Sequence, residues 1–112
     1  MKTASLSTCS NHTLRAVALL ATMIKAARKQ RNMSQAALAE RLGVSLLTVR
    51  AIEKGNLKVA VGTVFEAAAI VGIPLLAKNQ RELDQLTKSL AALTTILPQR
   101  SGRKTVIADD DF

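Results

Sequence analysis

Between residues 35 and 58 the chain sets out hydrogen-bond donors at short intervals: Gln35, Ser45, Thr48, Arg50, Lys54, Asn56 and Lys58. A guanidinium offers paired donors that match either the edge of a guanine or two oxygens of a phosphate, whereas an ammonium is a point charge. Arg50 is therefore a candidate for reading a base or for clamping a phosphate, and the residue type leaves both open. An amide at the start of a helix, beside unpaired backbone N–H groups, suits a phosphate oxygen, so Gln35 is a candidate phosphate ligand, with simple capping as its other reading. Asn56 and Lys58 fall in a loop just beyond and are candidate backbone contacts. Leu46 and Leu47 interrupt the polar run. Leucine cannot hydrogen-bond a base edge but can pack on a thymine methyl group, and Leu47 as a core residue is the competing reading.

Catalytic chemistry has little to draw on. His12 is the single histidine and Cys9 the single cysteine, no Cys/His cluster has zinc spacing, and no Gly-rich phosphate loop is present. Asp109, Asp110 and Asp111 are adjacent carboxylates in a segment of flexible composition, a poor preformed cation site. No enzyme activity, metal or cofactor is expected. The charge is more informative: sixteen Lys and Arg against eight Asp and Glu leave +8, which points to a polyanionic partner. Lys25, Arg28, Lys29, Arg31, Arg41, Arg50, Lys54 and Lys58 oppose only Glu40 and Glu53 in that stretch, so +6 of the +8 is concentrated there. Nucleic acid fits this better than a membrane surface, which would call for aromatic residues opposite the basic face. The apolar run 16–24 is too short to span a bilayer, and Lys25 and Arg28 follow where a signal peptide would need a cleavage site. A soluble, cytoplasmic protein is expected, in keeping with a lone cysteine.

These side chains need elements to position them. Aromatic residues make up 2% of the chain while alanine and leucine abound, which favours helices, and 112 residues with 48% apolar content bury one core rather than two. The expected fold class is all-α with five helices. Val17, Leu20, Ile24 and Ala27 place the first over residues 14–31. Ser34 caps a second over 35–42, which Gly43 ends, and Ser45 caps a third that runs to Lys54 before Gly55. Thr63 and Glu66 have capping-box spacing and predict a fourth helix over 64–71, stopped by Gly72 and Pro74. Asn79 and Glu82 repeat the signature and open a fifth that reaches about Leu97, ahead of Pro98.

The second and third helices carry a recognisable pattern. Leu38, Leu42, Val44, Val49 and Ile52 are apolar where the two must face each other and the core, Ala39 is small where they cross, and Gly43 sits in the turn. That is the arrangement of a helix-turn-helix, in which one helix braces and the next enters the major groove. The segments 24–28, 31–35, Leu38-Ala39, 42–45 and 52–55 resemble the Xre/Cro family, over roughly residues 14–76. The resemblance implies a compact lambda-repressor-like domain that binds double-stranded DNA, with Gln35 at the family's phosphate-contacting position. Leu46 and Leu47 depart from it, since relatives often carry Arg, Gln or Ser there.

Further segments, 61–66, 72–75, Leu97-Pro98 and the stretch Asp109, Asp110, Asp111, Phe112, resemble HipB-type antitoxins. That resemblance implies a transcriptional repressor partnered by a HipA-like kinase toxin. Three carboxylates followed by a phenylalanine make an acidic approach with an apolar anchor, a plausible linear ligand, or else a solubilising tail. Leu83, Leu86, Leu90 and Leu93 alternate spacings of three and four and form a candidate homodimer seam, with core packing as the alternative. The expected organisation is a leader over 1–12, a DNA-binding domain over 13–78, a fifth helix over 79–98 and a tail over 99–112, with the β-prone stretch 105–108 a second candidate for dimerisation. A stand-alone repressor and a protein-interaction adaptor that keeps the fold are the rival readings.

Overall fold

The computed structural model describes residues 9–97, which form five α-helices and no β-strand. In order these are α1 (Asn11–Gln30), α2 (Gln35–Leu42), α3 (Leu46–Glu53), α4 (Val61–Val71) and α5 (Gln80–Ile96). The all-α, five-helix expectation holds. The chain divides into two units, Met1–Leu76 and Ala77–Phe112.

Local chemistry explains most helix ends in the first unit. Ser34 and Ser45 take extended conformations, and each hydroxyl accepts an N–H three residues on, from Ala37 at 3.0 Å and from Thr48 at 3.2 Å. Each cap satisfies a donor that the helix itself leaves unpaired. Gly43 ends α2 at φ 73°, and the Val44 N–H returns 3.0 Å to the Ala39 carbonyl, a left-handed stop that a β-carbon would strain. The turn between α2 and α3 is thus fixed by Gly43 and Ser45, while Ser34 fixes the start of α2.

Two helix starts differ from the sequence expectation by three residues each. α1 starts at Asn11 rather than Leu14, because the Ser10 hydroxyl accepts from Thr13 N–H and draws Asn11 and His12 into the first turn. α4 starts at Val61 rather than Val64, with Ala60 at the cap position and no side-chain cap bond. Thr63 therefore lies inside the helix, and the Thr63–Glu66 capping box does not set its start. Packing supplies the reason, since Val59 and Val64 both lie against the core and bracket the entry.

The core joins all four helices of this unit. Ile24 from α1, Leu38 and Ala39 from α2, Val49 and Ile52 from α3, and Ala67, Ala68 and Val71 from α4 form one buried cluster. Ile24, Leu38, Val49 and Val71 are its largest fully enclosed side chains, each contributing about 1.5–3 kcal/mol by leaving water. Ala39, Ala67 and Ala68 let the helices approach closely. One inside face of α3 is therefore fixed by Val49 and Ile52, and the opposite face is left for other work.

In the second unit, Asn79 Oδ1 accepts from Glu82 N–H at 2.9 Å and opens α5, as its spacing predicts. Glu82 Oε1 returns the bond to the N–H of Lys78, one residue outside the expected partner. No residue of α5 is buried, and Leu83, Leu86, Leu90 and Leu93 keep 43, 45, 59 and 49% of their surface exposed. No described helix is long and apolar enough to cross a membrane.

Candidate nucleic-acid interface

The site begins with a charged residue in a core register. The buried positions of α1 are Ala21, Ile24 and Arg28, three and then four residues apart, so the helix turns an arginine inward. Its guanidinium finds a partner in Glu53, the last residue of α3: Nε donates to Oε2 at 2.6 Å and Nη2 to Oε1 at 3.1 Å. Nη1 donates to the Met33 carbonyl at 2.7 Å. Gln35 Nε2 adds a bond to Glu53 Oε1 at 3.0 Å. One carboxylate thus receives α1 and α2 and holds the end of α3 against both.

Its charge state follows from those contacts. Burial pushes the Glu53 carboxyl up, but hydrogen bonds from Arg28 and Gln35 and the positive charges of Arg28 and Lys25 outweigh it. The net result lies below the ordinary carboxylate range, so Glu53 is ionised at neutral pH and its charge is answered by Arg28.

Around this network Lys25, Gln35, Arg50, Glu53 and Lys54 line an open depression of about 400 Å³. Lys25, Arg50 and Lys54 are exposed. With Glu53 neutralised from behind by Arg28, the free charge of the depression is positive. Three helices therefore bring lysine, arginine and amide donors to one face, the composition that oxygen-rich anions select.

The other expected site residues take distinct places. Ser45 and Thr48 stand at the opening of α3 with their hydroxyls 3.1 Å apart. Leu46 is half-buried, while Leu47 is 73% exposed and is not core, which removes that reading. Asn56 and Lys58 are exposed after α3, and Asn56 Oδ1 accepts from the Lys58 N–H at 2.8 Å, which shapes the loop. Gln35 is neither a simple cap nor an uncommitted phosphate ligand: Ser34 is the cap, and one amide N–H of Gln35 already serves Glu53. Asp109, Asp110, Asp111 and Phe112, and the stretch 105–108, lie outside the described residues.

The sequence reading missed that Arg28 and Arg31 work within the fold. Arg31 Nε donates to the Val71 carbonyl at 2.7 Å and closes the C-terminus of α4. The exposed basic residues from 25 to 58 are therefore Lys25, Lys29, Arg31, Arg41, Arg50, Lys54 and Lys58. A signal for Arg28 was present: a charge in register with Ala21 and Ile24 requires a buried partner.

Comparison with known proteins agrees with this geometry. Residues 24–77 match the helix-turn-helix family model HTH_3, so a helix-turn-helix domain of the Xre type occupies that stretch. Neither the curated proteins nor the solved structures include a match to the chain.

Proposed function

We propose that this chain, through the helix-turn-helix domain of residues 24–77, is a sequence-specific double-stranded DNA-binding transcriptional repressor that acts as a homodimer. One observation carries the reading: the exposed cations Lys25, Arg50 and Lys54 share a single depression on the outward side of α3. An eight-residue helix is about 12 Å long, which suits insertion into a major groove roughly as wide. In this account Arg50 reads a base edge, Gln35 and Lys54 meet phosphates, and Asn56 and Lys58 hold the backbone beside the groove. Ser45, Leu46, Leu47 and Thr48 form the leading end. The exposed stripe Leu83, Leu86, Leu90, Leu93 supports the dimer, because two domains gripping two half-sites need a seam outside the groove.

The finer identity, an antitoxin partnered by a HipA-like kinase, is supported by the sequence resemblance over 61–66, 72–75 and 109–112. On this reading Asp109, Asp110, Asp111 and Phe112 contact the kinase. Truncation after Ala108 then weakens capture of a purified HipA-like kinase and leaves duplex affinity unchanged. Full capture by the truncated chain rejects that role for the segment.

Selection from a random-sequence duplex pool tests the main reading. The full chain enriches a two-fold-related motif if it reads sequence as a dimer, and R50A loses the enrichment at one position of each half-site. A pool that stays random through successive rounds contradicts sequence-specific binding.

A further inference from the structure

The outward face of α3 presents Leu47, Arg50 and Lys54, spaced i, i+3 and i+7, as one row along about 10 Å of helix axis. Arg50 and Lys54 line the basic depression. Leu47 leads the row and is 73% exposed. A solitary exposed leucine needs no explanation on an ordinary surface. Here it stands at the leading end of the helix, in register with two cations, and in a helix-turn-helix that end meets base edges.

The polar groups beside it are partly engaged. Ser45 Oγ accepts the Thr48 N–H at 3.2 Å, and the Ser45 and Thr48 hydroxyls bond each other at 3.1 Å. The first turn therefore commits the Ser45 oxygen and one of the two hydroxyl hydrogens to capping, and Leu47 beside them is the exposed large apolar side chain of α3. On a base-pair edge in the major groove, the complementary apolar feature is the 5-methyl of thymine.

We propose that Leu47 is a specificity-determining residue that selects thymine by its 5-methyl group, while Arg50 supplies the hydrogen-bonded contact one turn further along. The inference rests on the DNA-binding reading above and adds the chemical feature recognised. A site chosen this way contains a thymine whose hydrogen-bonding edge is dispensable and whose methyl is not.

Deoxyuridine, which lacks only that methyl, provides the test. Each thymine of the selected duplex is replaced in turn by deoxyuridine, and affinity is measured for the full chain, for L47A and for L47M. Removing one methyl from an apolar contact lowers affinity about fourfold. The expected result is such a loss at one or two positions of each half-site, its disappearance in L47A and its retention in L47M. Because Leu47 is exposed, L47A keeps the helical content and melting temperature of the parent, which circular dichroism confirms. Uridine tolerated at every position overturns the inference and leaves the DNA-binding reading intact. A uridine penalty equally large in L47A assigns the methyl to another residue and also overturns it. Failure to select any sequence rejects both readings together.

Discussion

Arg28 and Glu53 lie 25 residues apart in sequence and meet side-on through two bonds, Nε to Oε2 at 2.6 Å and Nη2 to Oε1 at 3.1 Å. Their side chains are only 8% and 3% exposed. The pair sits behind the basic depression and determines where α3 points, since Glu53 ends that helix and Arg28 is anchored in α1. Electrostatically it answers the charge of Glu53, which lines the depression, with the buried Arg28. Mechanically it joins α1 to α3, and the Gln35 bond to the same carboxylate adds α2.

Removing one partner leaves the other charge buried without an answer. R28A or E53A should destabilise the domain by about 3 kcal/mol, the low end for buried pairs, because the pair lies near the rim of a small domain. The double variant R28M/E53L should cost clearly less than the two single changes combined. Urea unfolding of all three checks this, and single variants within about 0.5 kcal/mol of the parent would show that the pair is not stabilising.

The same carboxylate gives the stability an acid limb. Glu53 titrates below its ordinary value of 4.5 in the folded chain, so its contribution is complete above that value and is lost as pH falls through the lower, folded one. Melting temperature followed from about pH 7 to about pH 3 should fall in the acid range, and the fall should be shallower in E53A. Parallel curves would place the acid sensitivity elsewhere.

Gly43 and Gly72 separate backbone strain from crowding. Both are left-handed, at φ 73° and 88°, but a β-carbon at Gly43 meets open space, whereas at Gly72 it meets Arg31 Nη2. Gly43→Ala should cost about 1 kcal/mol from strain alone. Gly72→Ala should cost more, because Arg31 must also give up its bond to the Val71 carbonyl. Equal losses in thermal unfolding would remove the role assigned to Arg31.

The exposed leucines of α5 predict an assembly variant that still folds. Replacing Leu90 and Leu93 by Asp should leave the helix-turn-helix unit at its parental melting temperature, since neither residue is buried. If the stripe is the proposed dimer seam, sedimentation should show the parent as a dimer and the variant as a monomer. Loss of the folded state would instead return these leucines to a core.

Much of this was legible because caps are local chemistry. Ser34, Gly43, Ser45 and Asn79 each act within three or four residues, and the structure places all four as their types predict. Thr63–Glu66 has the same spacing yet forms no cap, because the packing of Val59 and Val64 starts α4 earlier; spacing alone does not report such a contact. Within the site, the exposed places of Arg50 and Lys54 followed from the inward pull of Val49 and Ile52. The engagement of Gln35 did not, because its partner Glu53 lies 18 residues away and becomes a neighbour only when α2 and α3 pack.

The salt dependence of binding to the selected duplex tests the central claim most directly. If Lys25, Lys54 and Lys58 meet phosphates in each of two protomers, log affinity should fall against log salt with a slope of about −5. K54A should make that slope shallower by about 2, one lost contact in each protomer, while preserving the preference for the selected sequence over a scrambled one. A flat salt dependence, or equal affinity for selected and scrambled duplexes at every salt concentration, would contradict the assignment of this face of α3 to DNA.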